Sequence, residues 1–237
     1  MKDLEALLEQ GNVTDEVIDD YKITTENLAD NGIVLPVILV VDVSYSMEGE
    51  PLKHLGNALE VFEKSIIDDP ELKRMVEISL VTFNHKIQID TDFSKMQELD
   101  VPTISASGGT NISLAVRHAL KKAEERKAQM KNEAIPYYQP FVIILTDGEG
   151  GDVTEVAKKV KELTKKRQIN FIPVGIGDDA PYTDLKKFTG SVVKVEKTKD
   201  LTDLFELISQ SISAVSGSVV GENVALPEVP ATIQIVA

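Results

Sequence analysis

Two stretches of this chain carry no polar side chain: Ile33–Val41, nine residues with Pro36 near the start, and Phe141–Leu145. A strand with one face in water alternates apolar and polar residues. An unbroken β-rich run is instead the pattern of a strand covered on both faces, as in a parallel sheet flanked by helices. Pro36 has no ladder donor and fits only at the beginning of such a strand. These two runs are therefore expected to be adjacent, central strands, with the rest of the chain arranged to cover them.

The segments between and after them have helical or strand periods in alternation. Pro51–Ile67 places Leu52, Leu55, Leu59, Phe62 and Ile66 at helical spacing, with Pro51 in the first turn. Val76–Phe83 reads as a strand, Asn84-His85 as a two-residue turn and Lys86–Ile89 as its antiparallel partner at a sheet edge. Ile112–Lys131 is expected to be a long helix with Leu114, Val116, Ala119, Leu120 and Ala123 inward. Helices at Val153–Arg167, Thr183–Phe188 and Leu201–Val215 alternate with strands at Asn170–Val174 and Ser191–Val195. The predicted class is α/β: an open, doubly wound, mostly parallel sheet with one antiparallel edge strand and helices on both faces. It spans residues 33–216. Residues 217–237 form a C-terminal tail that either is disordered or adds a strand to an edge, its own or a neighbour's, through Thr232–Val236.

Composition narrows the functional classes. Lys and Arg number 25 against 39 Asp and Glu, a net charge of −14. This disfavours nucleic acid, whose phosphates call for a basic face, and an anionic membrane surface. Cysteine is absent, which removes disulfides, thiolate metal sites and Cys nucleophiles. No run approaches the roughly 18 apolar residues of a membrane span, and the MKDLEALLEQ start is acidic rather than a basic-then-apolar signal, so a cytoplasmic protein is expected. Residues 1–30 hold nine acids and two lysines, a local balance of −7. This stretch, within an N-terminal arm of residues 1–32, shows two short helical patterns, Asp3–Gln10 and Asp15–Tyr21, and is expected to be either a solvated cap or a docking arm.

In open α/β sheets, ligands bind outside the carboxyl ends of the strands, where the strand order reverses. The first apolar strand is followed by Asp42-Val43-Ser44-Tyr45-Ser46, the second by Thr146-Asp147-Gly148-Glu149. If those strands are neighbours, Asp42 and Asp147 come together, and paired carboxylates call for a compensating cation. Ser44, Ser46 and Thr110, the last in the Gly-rich stretch Ser105–Asn111, add neutral oxygen donors. An all-oxygen set suits Mg²⁺, Mn²⁺ or Ca²⁺, with short side chains and few protein ligands favouring Mg²⁺. Each piece also has a purely structural reading, since Ser46 and Thr110 are both well placed to cap helices.

The sequence Asp42-x-Ser44-x-Ser46, then Gly109-Thr110, then Thr146-Asp147-Gly148 resembles the metal-ion-dependent adhesion site of the von Willebrand factor A domain family. The resemblance covers roughly residues 34–215. Leu35-Pro36-Val37, Ser46-Met47-Glu48-Gly49-Glu50-Pro51 and Ala106-Ser107-Gly108-Gly109-Thr110 look most like bacterial stand-alone members of the tellurite-resistance (TerY-like) type. It implies that Ser44 and Ser46 ligate the metal directly, Thr110 directly in one conformational state, and Asp42 and Asp147 directly or through water. It further implies a non-enzymatic module in a stress or signalling complex, with a partner's Asp or Glu completing the metal shell. Tyr45 departs from the Gly common there and is expected to narrow the rim or touch a partner. The acidic arm supplies the same chemistry in cis, which makes self-association through residues 1–32 or 217–237 an alternative.

A phosphohydrolase with Asp42 as nucleophile is the less favoured reading. Ser44 stands where a second acid is needed, and Glu149 is the one nearby base. Neither G-x-G-x-x-G nor G-K-[ST] occurs; Gly175-Ile176-Gly177 is expected to be a turn, and Met47 breaks an EF-hand loop. His54, His85 and His118 lack metal spacing, and the lysine-rich helices are expected to be solvated faces.

Overall fold

The computed structural model describes residues 32–99, 103–148, 150–177, 182–216 and 230–236. The two apolar runs become β1 (Leu35–Asp42) and β5 (Phe141–Thr146). They pair in parallel, with Leu39 opposite Ile143. Between them in sequence lie α1 (Glu50–Asp68), α2 (Pro70–Met75), β2 (Val76–Phe83), β3 (Ile87–Asp90), β4 (Ser94–Lys95) and α3 (Ile112–Asn132). After β5 come α4 (Thr154–Lys165), β6 (Asn170–Ile176), α5 (Thr183–Thr189), β7 (Val192–Val195), α6 (Leu201–Ser216) and β8 (Ile233–Val236). The sheet runs β3-β2-β1-β5-β6-β7-β8, with β4 pairing β2 beyond β3. The order reverses between β1 and β5, the two strands that carry the Asp-ended apolar runs.

The uniform hydrophobicity of β1 is divided residue by residue between two cores. Leu35, Val37, Leu39 and Val41 face α1 and α6; Ile38 and Val40 face α3 and α4. On the first side Phe62 of α1 meets Phe205 of α6, ring centroids 5.0 Å apart. Each fully buried side chain of this size contributes about 1.5–3 kcal/mol by transfer from water. On the second side α3 offers Ile112, Ala115, Val116, Ala119, Leu120 and Ala123, all buried. Small alanines at three of these positions let the helix lie close to the strands. Leu114, expected inward, is exposed instead. The buried stripe runs Ile112, Ala115/Val116, Ala119/Leu120, and Leu114 falls on the opposite face of the helix.

The α/β class is as expected, and the hairpin Phe83–Ile87 closes one edge. Antiparallel pairing is more extensive than the single edge strand expected. The short β4 adds to β2, and β8 runs antiparallel to β7 with Val193 opposite Ile235. Thus the end of the C-terminal tail joins its own sheet. Ile233 is buried in the α1/α6 core, which fixes the register. The N-terminal arm, apart from Gly32, and most of the link from α6 to β8 lie outside the described residues.

Candidate metal site

Asp42 ends β1 and is fully buried. Its Oδ1 accepts the Ser44 N–H at 2.8 Å, and its Oδ2 accepts the Thr146 hydroxyl at 2.5 Å. The first bond turns the chain away from the strand; the second ties the end of β1 to the end of β5. Burial pushes the Asp42 carboxyl above the ordinary carboxylate range, Asp147 adds to the rise, and the bonds from Thr146 and Ser44 only partly offset them. A buried carboxylate held beside a second one is an arrangement that a cation relieves.

Beyond Ser44 the chain makes one 3₁₀ turn, Tyr45–Met47, anchored by the fully buried Met47. The turn brings Ser46 back over Ser44, with the two Oγ atoms 3.0 Å apart. Ser46 Oγ also donates to Asp147 Oδ1 at 2.8 Å. Asp42, Ser44, Ser46 and Asp147 thereby form one connected set of oxygens across the β1–β5 seam.

Thr110 arrives on a separate loop. Asn84, fully buried at the end of β2, holds that loop in place. Its side-chain amide donates to the Ser107 carbonyl at 2.6 Å, and its own carbonyl accepts the Asn111 N–H at 2.9 Å. The loop also binds the turn after β1, through Ser107 N–H to Val43 O at 2.8 Å and Tyr45 N–H to Gly108 O at 3.0 Å. Gly108 has φ +70, and a Cβ there would lie 2.3 Å from His85 Nδ1, so no other residue lets the loop pass so close to the β2–β3 turn. Thr110 then sits against the segment after β5. A Cβ on Gly148 would be 3.6 Å from Thr110 Oγ1, and one on Gly150 would be 3.0 Å from its methyl.

The capping alternative fails for both hydroxyls. The N-cap of α1 is Gly49, and that of α3 is Asn111, whose side chain accepts the Leu114 N–H at 3.0 Å. Ser46 and Thr110 precede these caps, by three residues and by one. The sequence pattern places Thr146 and Asn84 without indicating a role in the site. Thr146 ends an apolar strand, and Asn84 reads as an ordinary turn residue; only their cross-chain bonds show what they do. Gly175 lies inside β6 rather than in a turn, where a Cβ would fall 1.9 Å from the Tyr182 ring. Glu149 lies outside the described residues.

The donor set is two carboxylates and three hydroxyls. Among the described residues no cluster of three or more His, Cys, Asp or Glu is placed to hold a metal. A donor set of this kind would suit a hard, oxygen-preferring cation with few charged ligands, Mg²⁺ better than Zn²⁺.

Comparison with known families bears on this arrangement. The family model of the von Willebrand factor type A domain matches residues 37–207. The chain belongs to this family. Among solved structures, this VWA domain is similar to the pilus adhesin SpaC from Lactobacillus rhamnosus GG, at 15% identity and TM-score 0.61 over 78% of this chain and 31% of that one. It is also similar to proximal thread matrix protein 1 from the mussel byssus, at 16% identity and TM-score 0.56 over 76% of this chain. The match spans about half of the mussel protein, 48% of its length. The SpRpn10 VWA domain is matched over 95% of its length and 73% of this chain, at 13% identity and TM-score 0.52. At such identities the likeness is one of fold. No curated protein matches significantly. Among the described residues, no helix of this VWA domain is long and apolar enough to cross a membrane. The VWA domain is a module that commonly mediates protein–protein interaction.

Proposed function

We propose that this VWA domain is a divalent-cation-dependent protein-interaction module. In this reading Ser44, Ser46 and Thr110, with Asp42 and Asp147, hold Mg²⁺ (Mn²⁺ or Ca²⁺ in its place), and an Asp or Glu of a protein partner completes the shell. The observation that carries it is the connected oxygen set at the β1–β5 seam, with Ser46 Oγ 2.8 Å from Asp147 and 3.0 Å from Ser44 Oγ. The cation would supply charge compensation for the two carboxylates and an attachment point for a third. The residues of this chain orient the donors and keep Asp42 dehydrated.

We read the site as non-catalytic. Asp42 is fully buried, and Ser44 stands where an aspartyl nucleophile would need its acid/base partner. The likeness to a pilus adhesin and a thread matrix protein agrees with a binding role. A place in a cytoplasmic bacterial stress or signalling complex rests on the TerY-like stretches around Pro36, Glu48 and Gly108.

Titration calorimetry with Mg²⁺ on the full chain, followed by capture of partners with Mg²⁺ and with chelator, tests the reading. Wild type should bind one Mg²⁺ and hold a partner only with the metal; Asp42→Asn should do neither. Equal Mg²⁺ binding by wild type and Asp42→Asn would sink it. Hydrolysis of a phosphate ester by wild type and not by that variant would restore the enzyme reading. A metal-dependent change of mass in light scattering, with no partner captured, would favour self-assembly.

A further inference from the structure

Among the described residues only two large apolar side chains are exposed, Tyr45 at 66% and Leu114 at 37%. A lone exposed apolar residue is ordinary. These two both stand within four residues of a proposed metal ligand in the chain. Tyr45 lies between Ser44 and Ser46, and Leu114 lies in the first turn of α3, four residues after Thr110. Both are fixed to the same short loop. Tyr45 N–H donates to Gly108 O at 3.0 Å, and Leu114 N–H donates to Asn111 Oδ1 at 3.0 Å. That loop carries Thr110 between them.

Neither exposure is an accident of a loose backbone. The 3₁₀ turn buries Met47 completely, which leaves Tyr45, at the start of the same turn, outside. The α3 stripe of Ile112, Ala115 and Val116 is fully buried, which sets the helix rotation and leaves Leu114 outward. A tyrosine side chain has only two torsions to fix on binding and offers a large contact area, the profile of residues that dominate interface energies.

We propose that Tyr45 and Leu114 are specificity contacts flanking the metal site, selecting a protein segment whose metal-binding Asp or Glu has an apolar neighbour. This rests on the metal-dependent reading above and adds a sequence preference to it. A bare carboxylate satisfies the metal alone. A carboxylate beside a Phe or Leu also covers the two exposed side chains and removes their area from water.

The test uses the full chain at saturating Mg²⁺ and two fluorescent nonapeptides of Gly and Ser, one with Phe-Glu-Leu at its centre and one with Ser-Glu-Ser. Anisotropy should show wild type binding the first at least tenfold more tightly. Tyr45→Ala should reduce that preference below threefold, Leu114→Ser should reduce it in part, and Tyr45→Phe, which keeps the ring, should preserve it. Calorimetry should show Mg²⁺ affinity within twofold of wild type in all three variants, which separates this inference from the metal reading. Absence of Mg²⁺ binding in wild type overturns the metal reading and this inference with it. Intact Mg²⁺ binding overturns the inference alone if wild type binds both peptides equally or neither, or if the preference survives in Tyr45→Ala.

Discussion

Ser46 Oγ donates to Asp147 Oδ1 across 2.8 Å, joining positions 101 residues apart in sequence. The bond closes the seam between β1 and β5 at their carboxyl ends. It also places a neutral hydroxyl against a carboxylate whose neighbour, Asp42, is buried and already doubly hydrogen-bonded. Because Ser46 is exposed, its removal should affect function more than stability.

Ser46→Ala is therefore expected to lower Mg²⁺ affinity at least tenfold by calorimetry. Thermal stability without metal should change by no more than about 1 kcal/mol, the net worth of a typical hydrogen bond.

Gly150→Ala acts on the same site through packing. A Cβ there would meet the Ile112 N at 2.9 Å and the Thr110 methyl at 3.0 Å. The start of α3 must yield, at a cost of about 1–3 kcal/mol. The expected outcome is a lower denaturation midpoint together with weaker Mg²⁺ binding, although no proposed ligand has been changed. Unaltered Mg²⁺ affinity would argue against a role for Thr110.

Asp90 makes stability depend on pH at the far edge of the sheet. Burial raises its carboxyl, but Lys122 and His118, each 2.7 Å away, outweigh that and hold it below the usual carboxylate range. A lowered folded-state value means that the carboxylate stabilises the fold above its unfolded value. The contribution fades as pH falls through the folded one. The group is more than a third exposed, so screening limits the contribution to about 1 kcal/mol or less. Asp90→Asn should be less stable than wild type in urea at pH 7, and the difference should vanish in strong acid.

Ile233→Ala tests whether β8 is part of the cooperative fold. Ile233 is buried in the α1/α6 core, and its strand covers the β7 edge. Loss of the side chain should cost about 2–4 kcal/mol in denaturant. Truncation before Pro230 should lower stability further and expose β7 as an edge open to pairing with other chains.

Much of this was legible because the informative signals are local or periodic. Two runs without a polar residue predict strands covered on both faces, and helical spacing places Leu55, Phe62 and Ile66 inward. Asp42, Ser44, Ser46, Thr110 and Asp147 stand out because oxygen donors follow strand ends or a Gly-rich loop. Leu114 is the exception: it shares a face with Arg117, His118 and Lys121, so the helical period itself sets it opposite the stripe of Ile112, Val116, Ala119 and Ala123.

The sequence by itself determined the fold class and nominated the five oxygen donors, since hydrophobic period and residue chemistry are properties of the chain. Tertiary structure alone decided that Ser46 bonds to Asp147 and Ser44 while Gly49 occupies the α1 cap. It likewise decided that Asn84 and Thr146 hold the site together, and that the tail's last strand completes its own sheet. Most of these, Ser46 with Asp147, Asn84 with Ser107 and Thr146 with Asp42 among them, are pairings between segments tens to more than a hundred residues apart. Their energies depend on which groups burial leaves facing one another, and no local pattern encodes that.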